Sequence, residues 1–290
     1  LVLWLDAGNT SSYSGTGTTW YDLSGNGYDA TLVGNPTYNA GTSLFSFTDN
    51  TQYAQIAPLP ADFLGDTITG ITVFTVANFG DANLWERIVD LGNTGVDGNN
   101  PNHNILLSRF GNDADRLNWQ IYTGTSYDDL TETGDNTAIV NNVKSSFAGT
   151  ADGENFRIYA DGTLNTTTPA TTLPTAVDRN QNYIGKSNWT ADDTFRGDIG
   201  TVMVYNRALS ADEIAKNHQL LFNRATATLT VGDATSTTFG GKIENGVGDL
   251  NLVKQGSGTL TLTGENNYAD TTVSAGTLQI GNGGTSGTLG

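Results

Sequence analysis

Short apolar runs broken by clusters of turn residues alternate along residues 1–223, at roughly the spacing of strands in a β-sandwich. Ile71-Thr-Val-Phe-Thr-Val-Ala77 is nearly unbroken in apolar or β-branched residues, which predicts a central strand covered on both faces. Leu117-Asn-Trp-Gln-Ile-Tyr122 alternates instead. Leu117, Trp119 and Ile121 point one way and Asn118, Gln120 and Tyr122 the other, so one face of this strand is expected to be wet or to bind something. Further strands are expected at Phe156 to Ala160, Asn182 to Gly185 and Thr201 to Tyr205, with Asp161-Gly162 a strong hairpin signal. One helix stands out. Ser210-Ala-Asp-Glu213 is a capping box flanked by Leu209 and Ile214 at the staple positions, and it predicts a helix from Ala211 to Leu221.

Beyond residue 225 the pattern becomes a repeat of short strands: Ala227-Thr-Leu-Thr-Val-Gly232, Gly258-Thr-Leu-Thr-Leu262, Gly276-Thr-Leu-Gln-Ile-Gly281 and Gly287-Thr-Leu-Gly290, with Asp249-Leu-Asn-Leu252 as a looser copy. Their leading leucines, Leu229, Leu250, Leu260, Leu278 and Leu289, alternate long and short steps, so every second copy recurs at about 30 residues. Each copy can bury its leucine only against a neighbour, which is the logic of a solenoid. A Thr/Gly-rich linker would not space apolar residues this regularly.

Composition sharpens this picture. The chain has 290 residues, 36 of them Gly, no Cys and one Met, which excludes a disulfide framework, thiolate metal sites and cysteine catalysis. A formal net charge of −17 repels nucleic acid and anionic membrane surfaces alike. No apolar run approaches the ~20 residues of a membrane span. Leu1-Val-Leu-Trp-Leu-Asp6 lacks the basic flank of a signal peptide, so any export signal is expected outside these residues.

Several ordered motifs carry a family resemblance. Trp20-Tyr-Asp-Leu-Ser-Gly-Asn-Gly-Tyr-Asp-Ala-Thr-Leu32, Phe47-Thr-Asp-Asn-Thr-Gln-Tyr53, Ile158-Tyr-Ala-Asp-Gly162, Tyr183-Ile-Gly185 and Phe195-Arg-Gly-Asp-Ile-Gly-Thr-Val-Met-Val-Tyr-Asn-Arg-Ala-Leu-Ser210 together resemble the concanavalin A-like, laminin G-like jelly-roll family. Leu252-Val-Lys-Gln-Gly-Ser-Gly-Thr-Leu-Thr-Leu-Thr-Gly264, Asn267-Tyr268 and Val273-Ser-Ala-Gly-Thr-Leu-Gln-Ile280 are similar to the autotransporter-associated β-strand repeat. The resemblance implies an all-β chain: a two-sheet antiparallel jelly-roll sandwich with one short C-terminal helix over residues 1–223, then the start of a parallel β-helix over residues 224–290. It also implies a secreted or cell-surface, outer-membrane-associated bacterial protein.

Family members often hold calcium, for which Asp22 and Asn26 in the Asp-Leu-Ser-Gly-Asn-Gly loop, with Asp29 and Asp49, are the candidate oxygen ligands. Asp22 and Asn26 equally suit a turn shaped by local side-chain bonds. Where many relatives carry an acidic residue in the late strand this chain has Gly200, leaving Asp198 as the substitute. Sugar binding would use an exposed aromatic platform beside amides or carboxylates. Trp189, Trp85 beside Asn83 and Glu86, and Tyr122 and Tyr127 with Asp128 and Asp129 fit that description, whereas Trp4, Trp20 and Trp119 are expected in the core.

Catalytic patterns are absent from the sequence. There is no run of alternating carboxylates such as polysaccharide-cleaving relatives use. Asp113 and Asp115 fall in a turn, there is no Gly-x-Ser-x-Gly elbow, and Gly185-Lys-Ser187 lacks the upstream glycine of a phosphate loop. His103 and His218 are isolated, the latter placed to compensate a helix dipole. The sequence therefore predicts a non-catalytic, lectin-like or adhesin module for a carbohydrate or other cell-surface ligand. The alternative is a structural part of a surface fibre or layer, self-associating through β-helix ends.

Overall fold

A computed structural model describes residues 1–80, 85–93, 103–111, 115–124, 130–222, 227–244, 250–268, 270–283 and 287–288. The chain divides into two compact units, Leu1–His218 and Gln219–Gly290; the expected boundary at 223/224 lies outside the described residues.

The first unit is built from β1 (Leu3–Asp6), β2 (Thr19–Trp20), β3 (Ala30–Val33), β4 (Thr37–Asn39), β5 (Leu44–Phe47), β6 (Tyr53–Ile56), β7 (Ile71–Phe79), β8 (Arg87–Gly92), β9 (Asn104–Arg109), β10 (Leu117–Tyr122), β11 (Leu130–Asp135), β12 (Lys144–Ala151), β13 (Asn155–Ala160), β14 (Thr163–Pro169), β15 (Gln181–Ile184) and β16 (Gly197–Tyr205). One antiparallel sheet has the order β14-β13-β12-β7-β16-β5-β4, with β1 also on β16. The other has the order β11-β10-β9-β8-β15-β6-β3-β2. The two form the expected sandwich. β7, whose pattern predicts cover on both faces, sits in mid-sheet between β12 and β16 and is buried throughout except at Asn78. Asp161 and Gly162 both take positive φ, 48° and 76°, as a type I′ turn between β13 and β14 requires.

Large side chains fill the space between the sheets. Trp20 and Trp119 are fully buried there, while Trp4 keeps partial exposure. Trp119 reaches across from β10 to β12, where a Cβ on Gly149 would come within 2.3 Å of the indole. Glycine at this position is what lets the ring seat against the opposite sheet.

The capping box forms as its sequence predicts. The helix α1 (Ala211–Leu221) opens with the Ser210 amide donating to Glu213 Oε2 at 2.9 Å and the Glu213 amide donating to Ser210 Oγ at 3.3 Å. Arg207 grips the same carboxylate through both terminal nitrogens, at 2.8 and 2.7 Å. His218 does more than face the helix dipole: its Nδ1 lies 2.9 Å from Ser146 Oγ on β12, tying the helix to the sheet.

The second unit contains β17 (Ala227–Val231), β18 (Thr237–Phe239), β19 (Leu250–Lys254), β20 (Thr259–Leu262), β21 (Thr271–Val273) and β22 (Thr277–Ile280). They pair in parallel as β17-β19-β21 and β18-β20-β22, the start of a β-helix. The expected spacing of about 30 residues is corrected by the register. Leu229 stacks on Leu252, and Leu260 on Leu278, so a rung takes about twenty residues. The sequence pattern mixed leucines of two different sheets. Leu289 lies outside the described residues. Leu252, Leu260, Leu262, Ile243 and Tyr268 make the core. Lys254 also points inward, and its buried ammonium donates to the carbonyls of Gln255, Gly256 and Ala275 at 2.6, 2.9 and 3.2 Å. A cavity of about 360 Å³ opens among Leu229, Val231, Phe239, Ile243, Leu260 and Leu262. No helix among the described residues is long and apolar enough to cross a membrane.

Two tests follow from these contacts. Gly149→Ala forces the Trp119 indole to move and destabilises the sandwich by about 1–3 kcal/mol, read from chemical denaturation; an unchanged midpoint would contradict the packing. Glu213 has its carboxyl lowered from 4.5 to about 2, first by the hydrogen bond from Arg207 and then by the Ser210 amide. A lowered folded-state value means stability that is present above 4.5 and lost as pH falls towards about 2. The difference in melting temperature between wild type and Glu213→Gln is therefore expected to shrink across that window, and a constant difference would sink the assignment.

Candidate functional site

The alternation of β10 divides its side chains between two environments. Trp119 and its neighbours enter the core, so Asn118, Gln120 and Tyr122 project from the outer face of the sheet. Register extends this face across four strands. Tyr122 lies opposite Asn104, Gln120 opposite Leu106, Asn118 opposite Ser108, and further along Leu106 lies opposite Asp90 and Asp90 opposite Tyr183. The sequence predicted a face that is wet or binds something, but the face is buried: Asn118, Ser108, Asn104 and Asp90 have no exposed surface and Tyr122 keeps 7%. Part of the cover is the loop that leaves β15. Gly185, at φ 82°, turns the chain there, and Lys186 to Phe195 follow.

Asp90 ties the loop to the face. Its Oδ2 accepts from the Asn188 amide at 3.0 Å, and its Oδ1 accepts from Asn188 Nδ2 at 2.9 Å and from Asn104 Nδ2. The two asparagines fit because residue 92 has no side chain: a Cβ on Gly92 would sit 2.4 Å from Asn104 Nδ2 and 2.8 Å from Asn188 Nδ2. Burial pushes the Asp90 carboxyl up, opposed by Arg87 and by the donors of Asn188 and Asn104. Arg87 is buried as well, and desolvation lowers its value against the opposing charges of Asp192 and Asp90. It donates to Asp192 Oδ2 at 2.7 Å and to the Trp85 carbonyl at 2.8 Å. Desolvation likewise raises the Asp192 carboxyl, which also accepts from Ser187 Oγ at 2.7 Å.

Aromatic rings gather around this ionic centre. The Arg87 guanidinium lies 5.4 Å from the Trp189 ring centre and 5.6 Å from that of Trp85. Trp189 meets Tyr122 edge-on at 6.3 Å, and Trp85 packs on Phe110 at 4.5 Å. Both tryptophans are partly exposed. Three of the four predicted aromatic residues therefore flank one group of residues. Tyr127, with Asp128, Asp129, Asn83 and Asp113, lies outside the described residues. Glu86, expected to offer a carboxylate beside Trp85, is fully buried; it pairs with Arg109 at 2.9 Å and accepts from the Arg196 amide at 2.9 Å. Sequence reasoning missed Arg87 and Asp90. The available signal was a pair of opposite charges bracketing the apolar Ile88-Val89, since charges in a buried strand must be paired.

The amide oxygens of Asn104 and Asn188 are buried beside this centre with no hydrogen-bond partner among the described residues. Further along the face Ser108 Oγ and both polar atoms of Asn118 are in the same state. Each such group costs about 1–3 kcal/mol when left unmet. The face therefore holds hydrogen-bonding capacity that the fold does not use.

The four calcium candidates take part in local hydrogen bonds. Asp22 Oδ1 accepts from the amides of Trp4 and Ser24, both at 2.9 Å, and Oδ2 from Ser24 Oγ at 2.7 Å and the Tyr28 amide at 3.1 Å. Asn26 turns its nitrogen inward, donating to the Val2 carbonyl at 3.0 Å, and Asp29 accepts from the Asp22 amide at 2.8 Å. Asp49 closes its own turn on Thr51, whose hydroxyl and amide hold its carboxyl below the usual range. Asp198 accepts from Ser46 and Asn78. A hard cation needs several oxygens converging on it. Among the described residues no three His, Asp or Glu side chains gather closely enough to hold a metal.

The model of the family described as concanavalin A-like lectin/glucanases superfamily matches residues 48–215, more than half of the chain, and that of the passenger-associated-transport repeat matches residues 252–280. No curated protein sequence gives a significant match. Among solved structures, the binding domain of botulinum neurotoxin serotype G aligns at a TM-score of 0.54 and 15% identity, over 76% of this chain and 50% of that one. The binding domain of Paraclostridial Mosquitocidal Protein 1 aligns at 0.55 and 14%, over 77% and 53%. A structure of botulinum neurotoxin type C, whose cell entry is described as dependent upon interaction with two ganglioside molecules, aligns at 0.53 and 13%, over 75% and 50%. The chain thus spans about half the length of these structures, and at such identities the likeness is one of fold. Fold, motifs and family model agree: the chain belongs to the concanavalin A-like lectin/glucanase superfamily and carries a passenger-associated-transport repeat after its sandwich domain.

Proposed function

We propose that the sandwich is a non-catalytic carbohydrate-binding module of an exported bacterial surface protein, and that sugar is held at the rim of the loop covering β8, β9 and β10, against the exposed parts of Trp189 and Trp85. The observation that carries this reading is the gathering of two partly exposed tryptophans, Trp189 and Trp85, around the buried Arg87, with the partly exposed Asn188 next to Trp189 in the loop. An aromatic ring accepts the apolar face of a sugar, while amides satisfy its hydroxyls. The interaction of the similarly folded botulinum neurotoxin type C with gangliosides supports the use of this fold for glycans. Placement at a surface is supported by the passenger-associated-transport repeat.

The absence of catalysis is supported by the carboxylates themselves. Glycoside hydrolysis needs one carboxylic acid and one carboxylate, both facing the scissile bond. Asp90 and Asp192 instead share Arg87 and take hydrogen bonds from Asn188, Asn104 and Ser187.

Trp189→Ala removes the platform while leaving Asp90 and Arg87 in place. Calorimetric titration with the glycan that wild type binds best is expected to show affinity lower by about thirtyfold, as for loss of a central aromatic anchor. Equal affinity of the two proteins would move the site elsewhere.

A further inference from the structure

Lys186 begins the same loop and stands apart from the ion pairs around it. Its Nζ lies 4.4 Å from the ring centre of Tyr53 and 4.6 Å from that of Tyr183, two rings that meet edge-on at 5.6 Å. Tyr183 lies opposite Asp90 in register and Tyr53 projects from the neighbouring β6, so the ammonium sits over the outer face that carries the sugar site. Two aromatic faces hold it by cation–π attraction, which fixes its position without using its N–H donors.

No ion pair compensates this charge. The nearby carboxylates are engaged elsewhere: Asp90 and Asp192 face Arg87 and the loop donors, whereas Lys186 forms no ion pair among the described residues. Its ammonium value is lowered by desolvation alone, with no carboxylate acting against it. A half-buried, uncompensated cation in a chain of net charge −17 is out of keeping with the rest of the surface.

From this arrangement we infer that Lys186, with Tyr53 and Tyr183, forms an anion-selective subsite, and that the ligand of the outer face is an acidic glycan bearing a carboxylate or sulfate. The inference rests on the carbohydrate-binding reading and deepens it. The overall negative charge does not oppose it at the point of contact, because salt screens distant charges beyond about 8 Å under physiological conditions. The anion completes the ion pair that the fold leaves open, while the neutral part of the sugar meets Trp189.

The test titrates the full chain with matched acidic and neutral ligands: oligogalacturonate against its methyl ester, sialyllactose against lactose, and a sulfated disaccharide against its unsulfated form. The expected result is that at least one acidic member binds and its neutral counterpart binds roughly tenfold more weakly. Lys186→Gln abolishes that preference without changing affinity for the neutral member, and Lys186→Arg restores it. Added salt weakens only the acidic ligand. Equal binding of both members of every pair, or equal losses for both in Lys186→Gln, overturns the anion subsite while sparing the carbohydrate reading. Binding of neither class by wild type overturns both.

Discussion

The Asp90 carboxylate is the interaction on which the site depends. Buried at no exposure in the middle of a sheet, it would be costly without compensation, and the compensation comes from three sides: Arg87, Asn104 on the next strand, and both nitrogens of Asn188 on the loop. Two of these donors belong to a loop that could otherwise sample many conformations. By taking the Asn188 amide and side chain, Asp90 holds the residue next to Trp189, whose ring meets Tyr122 and Arg87. Gly92 is the steric condition for the same contact.

The two units differ in how many buried polar atoms go unmet: among the described residues, Asn251 Oδ1 in the β-helix and several on the outer face of the sandwich. In the β-helix, Lys254 is fully satisfied by three carbonyls, and Asn266 takes the Ile243 amide while donating to the carbonyls of Gly264 and Thr288. Polar groups there replace backbone hydrogen bonds at the turns between rungs. On the outer face of the sandwich, by contrast, Asn118, Ser108, Asn104 and Asn188 keep atoms unmet. A fold tolerates such groups at a cost in stability, and sites of function are where that cost is usually found.

Much of the fold was legible because it is written in local pattern. The capping box from Ser210 to Glu213 gave the helix boundaries, the alternation of Leu117 to Tyr122 separated core from outer face, and Asp161-Gly162 placed a hairpin. Trp189 and Tyr122 were visible as candidates, but their meeting was not, since they come from loop and strand distant in sequence. Arg87 and Asp90 were overlooked for a physical reason: in isolation a charge reads as solvated, and only the sheet register shows that both are buried. The same limitation explains the outer face, expected to be wet or to bind something and in fact covered by a loop, and the solenoid period, where leucines of two sheets were read as one series. For the Asp22 loop the sequence offered either cation ligands or a turn shaped by local bonds, and the Asp22 oxygens accept from Trp4, Ser24 and Tyr28.

The most direct measurement is amide and indole chemical-shift mapping of the full chain during titration with a bound glycan. Sugar held against Trp189 shifts the Trp189 indole and the amides of Asn188 and Trp189, while β13 and β14 on the opposite sheet stay still. Shifts confined to that opposite sheet, or to the β-helix, with the Trp189 and Asn188 signals unmoved at saturation, would contradict the account.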